Sequence, residues 1–281
     1  MTVDTPLLLF MTPRGPVARF GDRSALLDDH PWDALVNDAS PYATLRRLVD
    51  EAPAFEPSDP VSLLAPIGSQ EVWAAGVTYY RSRDARMEES RASGGASFYD
   101  RVYDADRPEL FFKALPHRVV GPGAPIRVRR DSRWSVPEPE LVLAVNVSGH
   151  IVGYTVGNDV SARDIEGENP LYLPQAKVYE GSCAIGPALW VTPSPPPPST
   201  AIRLEITRGG HVVFDGETSV GQIKRTFDDL VGYLRRELSF PTGCYLFTGT
   251  GIVPPDDFSL ASGDEVRITI DPIGTLTNVV L

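Results

Sequence analysis

Short apolar runs of β type, punctuated by Pro and Gly, recur along this chain, the pattern of a β-rich protein. The longest adjoining pair is Leu141–Val147 and Ile151–Val156, separated by Ser148-Gly149, a hairpin signal. Leu7–Phe10 and Val17–Phe20 make a second candidate pair around the Pro13–Pro16 turn. Ala201–Thr207 and His211–Phe214 make a third around Arg208-Gly209-Gly210, and Val72–Val77, Val266–Ile270 and Gly274–Val280 read as further strands. Helical periodicity is sparse. It covers Tyr42–Asp50, a charged stretch after Val77 that Gly94-Gly95 ends, and Gln222–Leu238. In the last of these Ile223, Phe227, Leu230, Val231, Leu234 and Leu238 fall on one stripe, the mark of a core-facing helix. Pro53, Pro57 and Pro60 form a linker-like passage, so residues 1–65 read as a first unit and 66–281 as a second.

The hairpin carries the chemistry. A turn centred between residues 148 and 149 makes paired positions sum to 297, which sets Glu138 opposite Asp159 because 138 + 159 = 297. Glu140, two residues along, points to the same face, diagonal to Asp159. Side chains directly opposed lie about 4.5–5.5 Å apart at Cβ, where three carboxylates repel unless something positive lies between them. A hard divalent cation is the natural occupant, Mg²⁺ first and Mn²⁺ or Ca²⁺ second. A slip of one residue would turn Asp159 to the other face. Lys177 follows across a polar loop containing Pro170 and Pro174. Beside a carboxylate cluster it is either an ion-pair partner or, near a metal, a group that stabilises an oxyanion on bound substrate.

Composition narrows the class. Hydrophobic residues make up 42% of the 281 and charged residues 22%, an ordinary globular balance with room for a substantial core. A net charge of −11 argues against nucleic acid as partner. An anionic small molecule would have to be met by a local positive site, which a bound divalent cation provides. Cys183 and Cys244 are too few for a disulfide framework and lack metal-site spacing. Neither a signal-peptide pattern nor a membrane-length apolar run is present, so a cytoplasmic, membrane-free protein is expected.

Glu138-x-Glu140, the run G-Y-T-V-G-N-D-V-S-A-R-D containing Asp159, and Q-A-K ending in Lys177 resemble the fumarylacetoacetate hydrolase family, from about Trp73 to the C-terminus. The resemblance implies a mostly β (α+β) fold, with a rolled mixed β-sheet catalytic domain (66–281) behind a small N-terminal domain (1–65), and homo-oligomers, dimeric or tetrameric. It implies Glu138, Glu140 and Asp159 as Mg²⁺ ligands and Lys177 beside a bound 2-oxo acid. F-F-K at residues 111–113 resembles the family's Phe-x-Lys strand. Glu109 matches a glutamate of the sugar-acid dehydratase branch and is the candidate acid/base. T-G-T-G (Thr248–Gly251) matches a Gly-flanked threonine turn, with Gly251 where proline is usual; there Thr250 is either a substrate contact or simply part of a turn. Arg81, Arg83 and Arg86 either contact a carboxylate or line a solvated helix face.

Members of the family that hydrolyse C–C bonds carry a histidine early in the segment after Val77. This chain has only His30, His117, His150 and His211, and His150 and His211 fall at hairpin turns. Without that general base for water attack, a lyase is favoured. The implied activity is Mg²⁺-dependent dehydration of a 2-keto-3-deoxy sugar acid, a pentonate going to 2,5-dioxopentanoate and water through a metal-stabilised enolate. The alternatives are an acylpyruvate-type hydrolase or decarboxylase using the same centre, or a Ca²⁺-stabilised non-enzymatic β protein. No D-x-[DN]-x-[DN]-G loop supports the last of these.

Overall fold

The computed structural model describes residues 5–56, 62–82 and 101–281. The chain begins with β1 (Leu7–Thr12), β2 (Gly15–Phe20) and β3 (Arg23–Leu26), then helices α1 (Trp32–Val36) and α2 (Pro41–Glu51). Next come β4 (Glu71–Gly76), β5 (Glu109–Ala114), β6 (Val119–Val120), β7 (Ser135–Val136), β8 (Pro139–Val145), β9 (Ile151–Asp159) and β10 (Ser161–Ala162). Two short helices, α3 (Arg163–Glu168) and α4 (Leu173–Lys177), lead to β11 (Cys183–Val191), β12 (Ala201–Arg208) and β13 (His211–Ser219). Helix α5 (Phe227–Leu234) and strands β14 (Cys244–Phe247), β15 (Glu265–Ile270) and β16 (Gly274–Val279) complete the chain.

A ten-stranded sheet runs β3-β2-β1-β11-β9-β8-β14-β4-β5, with β6 paired to β11. It is mixed: β14 with β4 and β11 with β6 are parallel, the other pairs antiparallel. A four-stranded antiparallel sheet, β13-β12-β15-β16, packs against it. The mostly β class is therefore as expected. Strand β8 shows why both faces of the large sheet are buried. Its Leu141, Leu143 and Val145 join apolar residues of the smaller sheet (Ile202, Leu204, Ile206, Ile268) and Leu230 of α5. Val142 and Ala144, alternating with them, join the core beneath α1 and α2. The N-terminal strands continue the large sheet through pairing of β1 with β11.

The β8–β9 register is the one the sequence indicates: Pro139 pairs with Asn158, Glu140 with Gly157 and Leu141 with Val156. The turn differs. Asn146 closes on His150, with its N–H bonded to the His150 carbonyl at 2.9 Å, and Val145 pairs with Ile151. Pairs beside the turn thus sum to 296, and an irregularity between Ala144 and Val145 restores 297 farther out. The bulge takes up the extra residue and leaves the carboxylate ends in register.

Helix α5 is shorter than the Gln222–Leu238 periodicity suggests, covering only Phe227–Leu234. Thr226 caps it, its Oγ1 accepting from the Asp229 N–H at 3.1 Å. Ile223 instead bridges Tyr79, and Lys224 N–H bonds the Thr78 carbonyl at 3.0 Å. Leu238, on the expected apolar stripe, is exposed. The helix over Pro41–Glu51 and the hairpin of β12 and β13 match expectation, with Gly209 and Gly210 both at positive φ in the turn. The charged stretch after Val77, including Arg83, Arg86 and Gly94-Gly95, lies largely outside the described residues. Cys183 and Cys244 are buried free thiols, and burial pushes both up to about 12. Among the described residues no helix is long and apolar enough to cross a membrane.

Candidate metal centre and active site

Three carboxylates converge where β8 and β9 end. Glu138, Glu140 and Asp159 are buried, and each offers an oxygen within 4.8 Å of the others. The Asp159 N–H bonds the Glu138 carbonyl at 3.0 Å, which continues the ladder and places the two acids opposite each other. All three belong to the face that carries Val142 and Ala144, so the acid cluster extends one side of a buried sheet.

The loop from Asp159 to Lys177 folds back through α3 and α4 and delivers Lys177 into the cluster. Its Nζ donates to Glu138 Oε2 at 2.7 Å, Asp159 Oδ2 at 3.0 Å and Ser161 Oγ at 2.6 Å. Two further cations join it. Arg163 Nη2 lies 2.9 Å from Glu138 Oε1, and Lys113 Nζ pairs with Asp159 Oδ1. The sequence places Lys113 only on the F-F-K strand and Arg163 only within the A-R-D run, and assigns neither to the site. The readable signal is a lysine inside an apolar strand, since a buried lysine needs an acid.

Glu140 makes one hydrogen bond to the turn that follows β14: the Gly249 N–H donates to its Oε2 at 2.5 Å. Gly249 sits at φ +90°, and a Cβ there would lie 2.0 Å from Thr78 Oγ1, so only glycine fits. Thr78 in turn donates to the Thr248 carbonyl at 2.6 Å. Thr78 is aimed by Val77, a β-branched residue at φ +53°, a strained conformation of the kind that collects at functional sites. Burial first, then the charges of Asp159 and Glu138, holds the Glu140 carboxyl well above the ordinary carboxylate range. A divalent cation would relieve that penalty. The donor set is all oxygen, with no sulfur or imidazole, which suits Mg²⁺.

The crevice over the cluster is lined by Gly76, Val77, Ser82, Phe111, Arg163 and Thr250 with Glu138, Asp159 and Lys177. A larger cleft of about 750 Å³ lies elsewhere, beside Tyr154, Pro196 and Phe227, and holds no comparable group of acids. Thr250 is in the crevice, but its hydroxyl is engaged in its own turn, accepting from the Ile252 N–H at 3.2 Å. Glu109 is one strand away, paired with Gly76, and its carboxylate packs over that glycine: a Cβ on Gly76 would lie 2.0 Å from Glu109 Oε2. Arg81 is exposed and does not line the crevice. None of the four histidines lines it either.

Residues 88–281 match the family described as Fumarylacetoacetate (FAA) hydrolase C-terminal. The chain belongs to the fumarylacetoacetate hydrolase family. Among relatives in this family, it is 52% identical over 217 residues to a probable 2-keto-3-deoxyxylonate dehydratase of Haloferax volcanii, covering 76% of this chain and 73% of the relative. It is 46% identical over 225 residues to the 2-dehydro-3-deoxy-D-arabinonate dehydratase of Saccharolobus solfataricus, covering 79% and 75%. A solved structure of 2-keto-3-deoxy-D-arabinonate dehydratase complexed with magnesium and 2,5-dioxopentanoate superposes with a TM-score of 0.79 at 36% identity, covering 98% of each chain.

Proposed function

We propose that this member of the fumarylacetoacetate hydrolase family is a hydro-lyase that dehydrates a 2-keto-3-deoxypentonate to 2,5-dioxopentanoate and water, with Mg²⁺ held by Glu138, Glu140 and Asp159. The observation that carries the reading is the buried triad set against Lys177 in a crevice without histidine. Relatives bearing the same dehydratase names support it.

Bound Mg²⁺ supplies Lewis acidity toward the 2-oxo acid end of the substrate. Lys177, held by Glu138, Asp159 and Ser161, keeps a fixed positive charge in the crevice, where the C2 oxygen gains negative charge as the C3 proton leaves. The Thr250 turn is the contact for the C1 carboxylate. Glu109, at the Gly76 wall, takes the C3 proton or returns one to the departing C4 hydroxyl, which leaves as water. A proton then passes from C5 to C3, the double bond moves to C4–C5, and the enol tautomerises to the C5 aldehyde. Arg81, exposed outside the crevice, meets the anionic substrate on approach. The enzyme works as a homo-oligomer, a dimer or tetramer, in the cytoplasm.

The test is turnover of 2-keto-3-deoxy-D-arabinonate with Mg²⁺ and with EDTA, reading the product aldehyde. Mg²⁺-dependent formation of 2,5-dioxopentanoate is expected. Absence of aldehyde together with cleavage of acylpyruvates to pyruvate would replace the dehydratase with a hydrolase.

A further inference from the structure

Gly76 and Glu109 form the last pair of the β4–β5 ladder, and β5 stands at one end of the ten-stranded sheet. The carboxylate at the crevice wall is thus carried by the first residue of an outermost strand. Strand ends fray more readily than strand centres, so pairing with Gly76 alone is a weak hold on Glu109.

A tripeptide from a distant part of the chain, Ile223-Lys224-Arg225, bonds the chain on both sides of that end. On the β4 side, Ile223 bridges Tyr79, and the Lys224 N–H donates to the Thr78 carbonyl at 3.0 Å. On the β5 side, Lys224 Nζ donates to the Tyr103 carbonyl at 2.8 Å and pairs with the Asp104 carboxylate. Arg225 takes three carbonyls at once. Its Nη1 donates to Asp106 at 3.0 Å, and its Nη2 to Ala105 at 2.6 Å and Val102 at 3.1 Å. These carbonyls close the helical turn at residues 101–104, where a helix leaves acceptors without partners of its own. Only Arg107 and Pro108 separate Asp106 from Glu109. Pro108 is buried and its ring fixes φ, while the Arg107 guanidinium lies 5.7 Å from the Tyr233 ring of α5. A displacement at Asp106 therefore reaches Glu109 with little slack.

We propose that Arg225 is a positioning residue for Glu109: its fork onto three carbonyls sets where the Glu109 carboxylate stands on the Gly76 wall. The inference rests on the acid/base role that the dehydratase reading gives Glu109.

The test is kcat and KM for aldehyde formation from 2-keto-3-deoxy-D-arabinonate by the Mg²⁺-loaded enzyme. It compares wild type, Arg225→Met, Arg225→Lys, Glu109→Gln and the double variants of Glu109→Gln with each Arg225 change, all checked for folding by circular dichroism. Arg225→Met should lower kcat by about tenfold to a hundredfold, the scale of a misplaced reacting group, with KM and calorimetric Mg²⁺ affinity little changed. Arg225→Lys, which lacks the planar fork, should recover part of that rate. In the Glu109→Gln background the Arg225 changes should cost nothing further, because they act through the missing carboxylate. Where Arg225→Met does not fold, Arg225→Lys carries the same comparison with a smaller loss. A folded Arg225→Met with wild-type kcat, or one that slows Glu109→Gln as much as it slows wild type, overturns the proposal and leaves the dehydratase reading standing. Full activity in Glu109→Gln also overturns it, by removing the group positioned. A wild type that forms no aldehyde overturns both.

Discussion

Replacing Glu140 by Gln tests whether the triad is built for a cation. The substitution keeps shape and leaves an oxygen to accept from the Gly249 N–H, but removes one of three negative charges whose oxygens lie within 4.8 Å. At that spacing and an effective dielectric near 20, each like-charge pair costs roughly 3 kcal/mol. Glu140 has two such neighbours, Glu138 and Asp159, and Lys177 offsets part of the repulsion. The metal-free variant should therefore be more stable than metal-free wild type by on the order of 2 kcal/mol, a few degrees in Tm.

The difference should depend on pH. The Glu140 carboxyl is raised in the folded state above its ordinary value of 4.5, so the folded protein binds the extra proton. Its contribution is fully present below the unfolded carboxylate pKa and is lost as pH rises through the higher folded value. The gap between variant and wild type should thus open as pH climbs above about 4.5. Mg²⁺ at a hundred times its Kd should stabilise wild type by about 2.7 kcal/mol and the variant by far less. The assay is a set of thermal melts from about pH 4.5 to about pH 8, in EDTA and in MgCl₂. A variant stabilised by Mg²⁺ as fully as wild type, or one less stable than metal-free wild type at the alkaline end, refutes the reasoning.

Lys177→Met should lower kcat by about 10²–10³, measured as initial rates of aldehyde formation, because the proposed mechanism loses its fixed positive charge in the crevice. Gly76→Ala should push the Glu109 carboxylate off the crevice wall and cut kcat by about 10²–10⁴, with Mg²⁺ affinity by calorimetry unchanged. Thr78→Val removes the bond to the Thr248 carbonyl and leaves a buried acceptor unsatisfied; chemical denaturation should show a loss of about 1–3 kcal/mol.

The triad is legible in the sequence because strand periodicity and hairpin pairing are local rules. Once Glu138 and Asp159 sum to the same register number as Leu141 and Val156, a shared face follows. The turn itself is not where the Ser148-Gly149 signal centres it, and only the bulge near Val145 keeps the outer register intact. Propensity shows where a chain turns but not how the ladder absorbs an extra residue. The apolar stripe of Gln222–Leu238 likewise overstates α5. Ile223 and Lys224 are held by Tyr79 and Thr78, more than a hundred residues away, and such contacts override local preference. The sequence by itself therefore determined the strand-rich class, the facing acids and, through motif likeness, the family. Tertiary structure alone decided which donors join Lys177 around the acids. Lys113 comes from β5, Arg163 from α3 and the Gly249 amide from the turn after β14. Their meeting depends on how the strands are ordered across the sheet, and side-chain pairing between distant segments leaves no periodic trace along the chain.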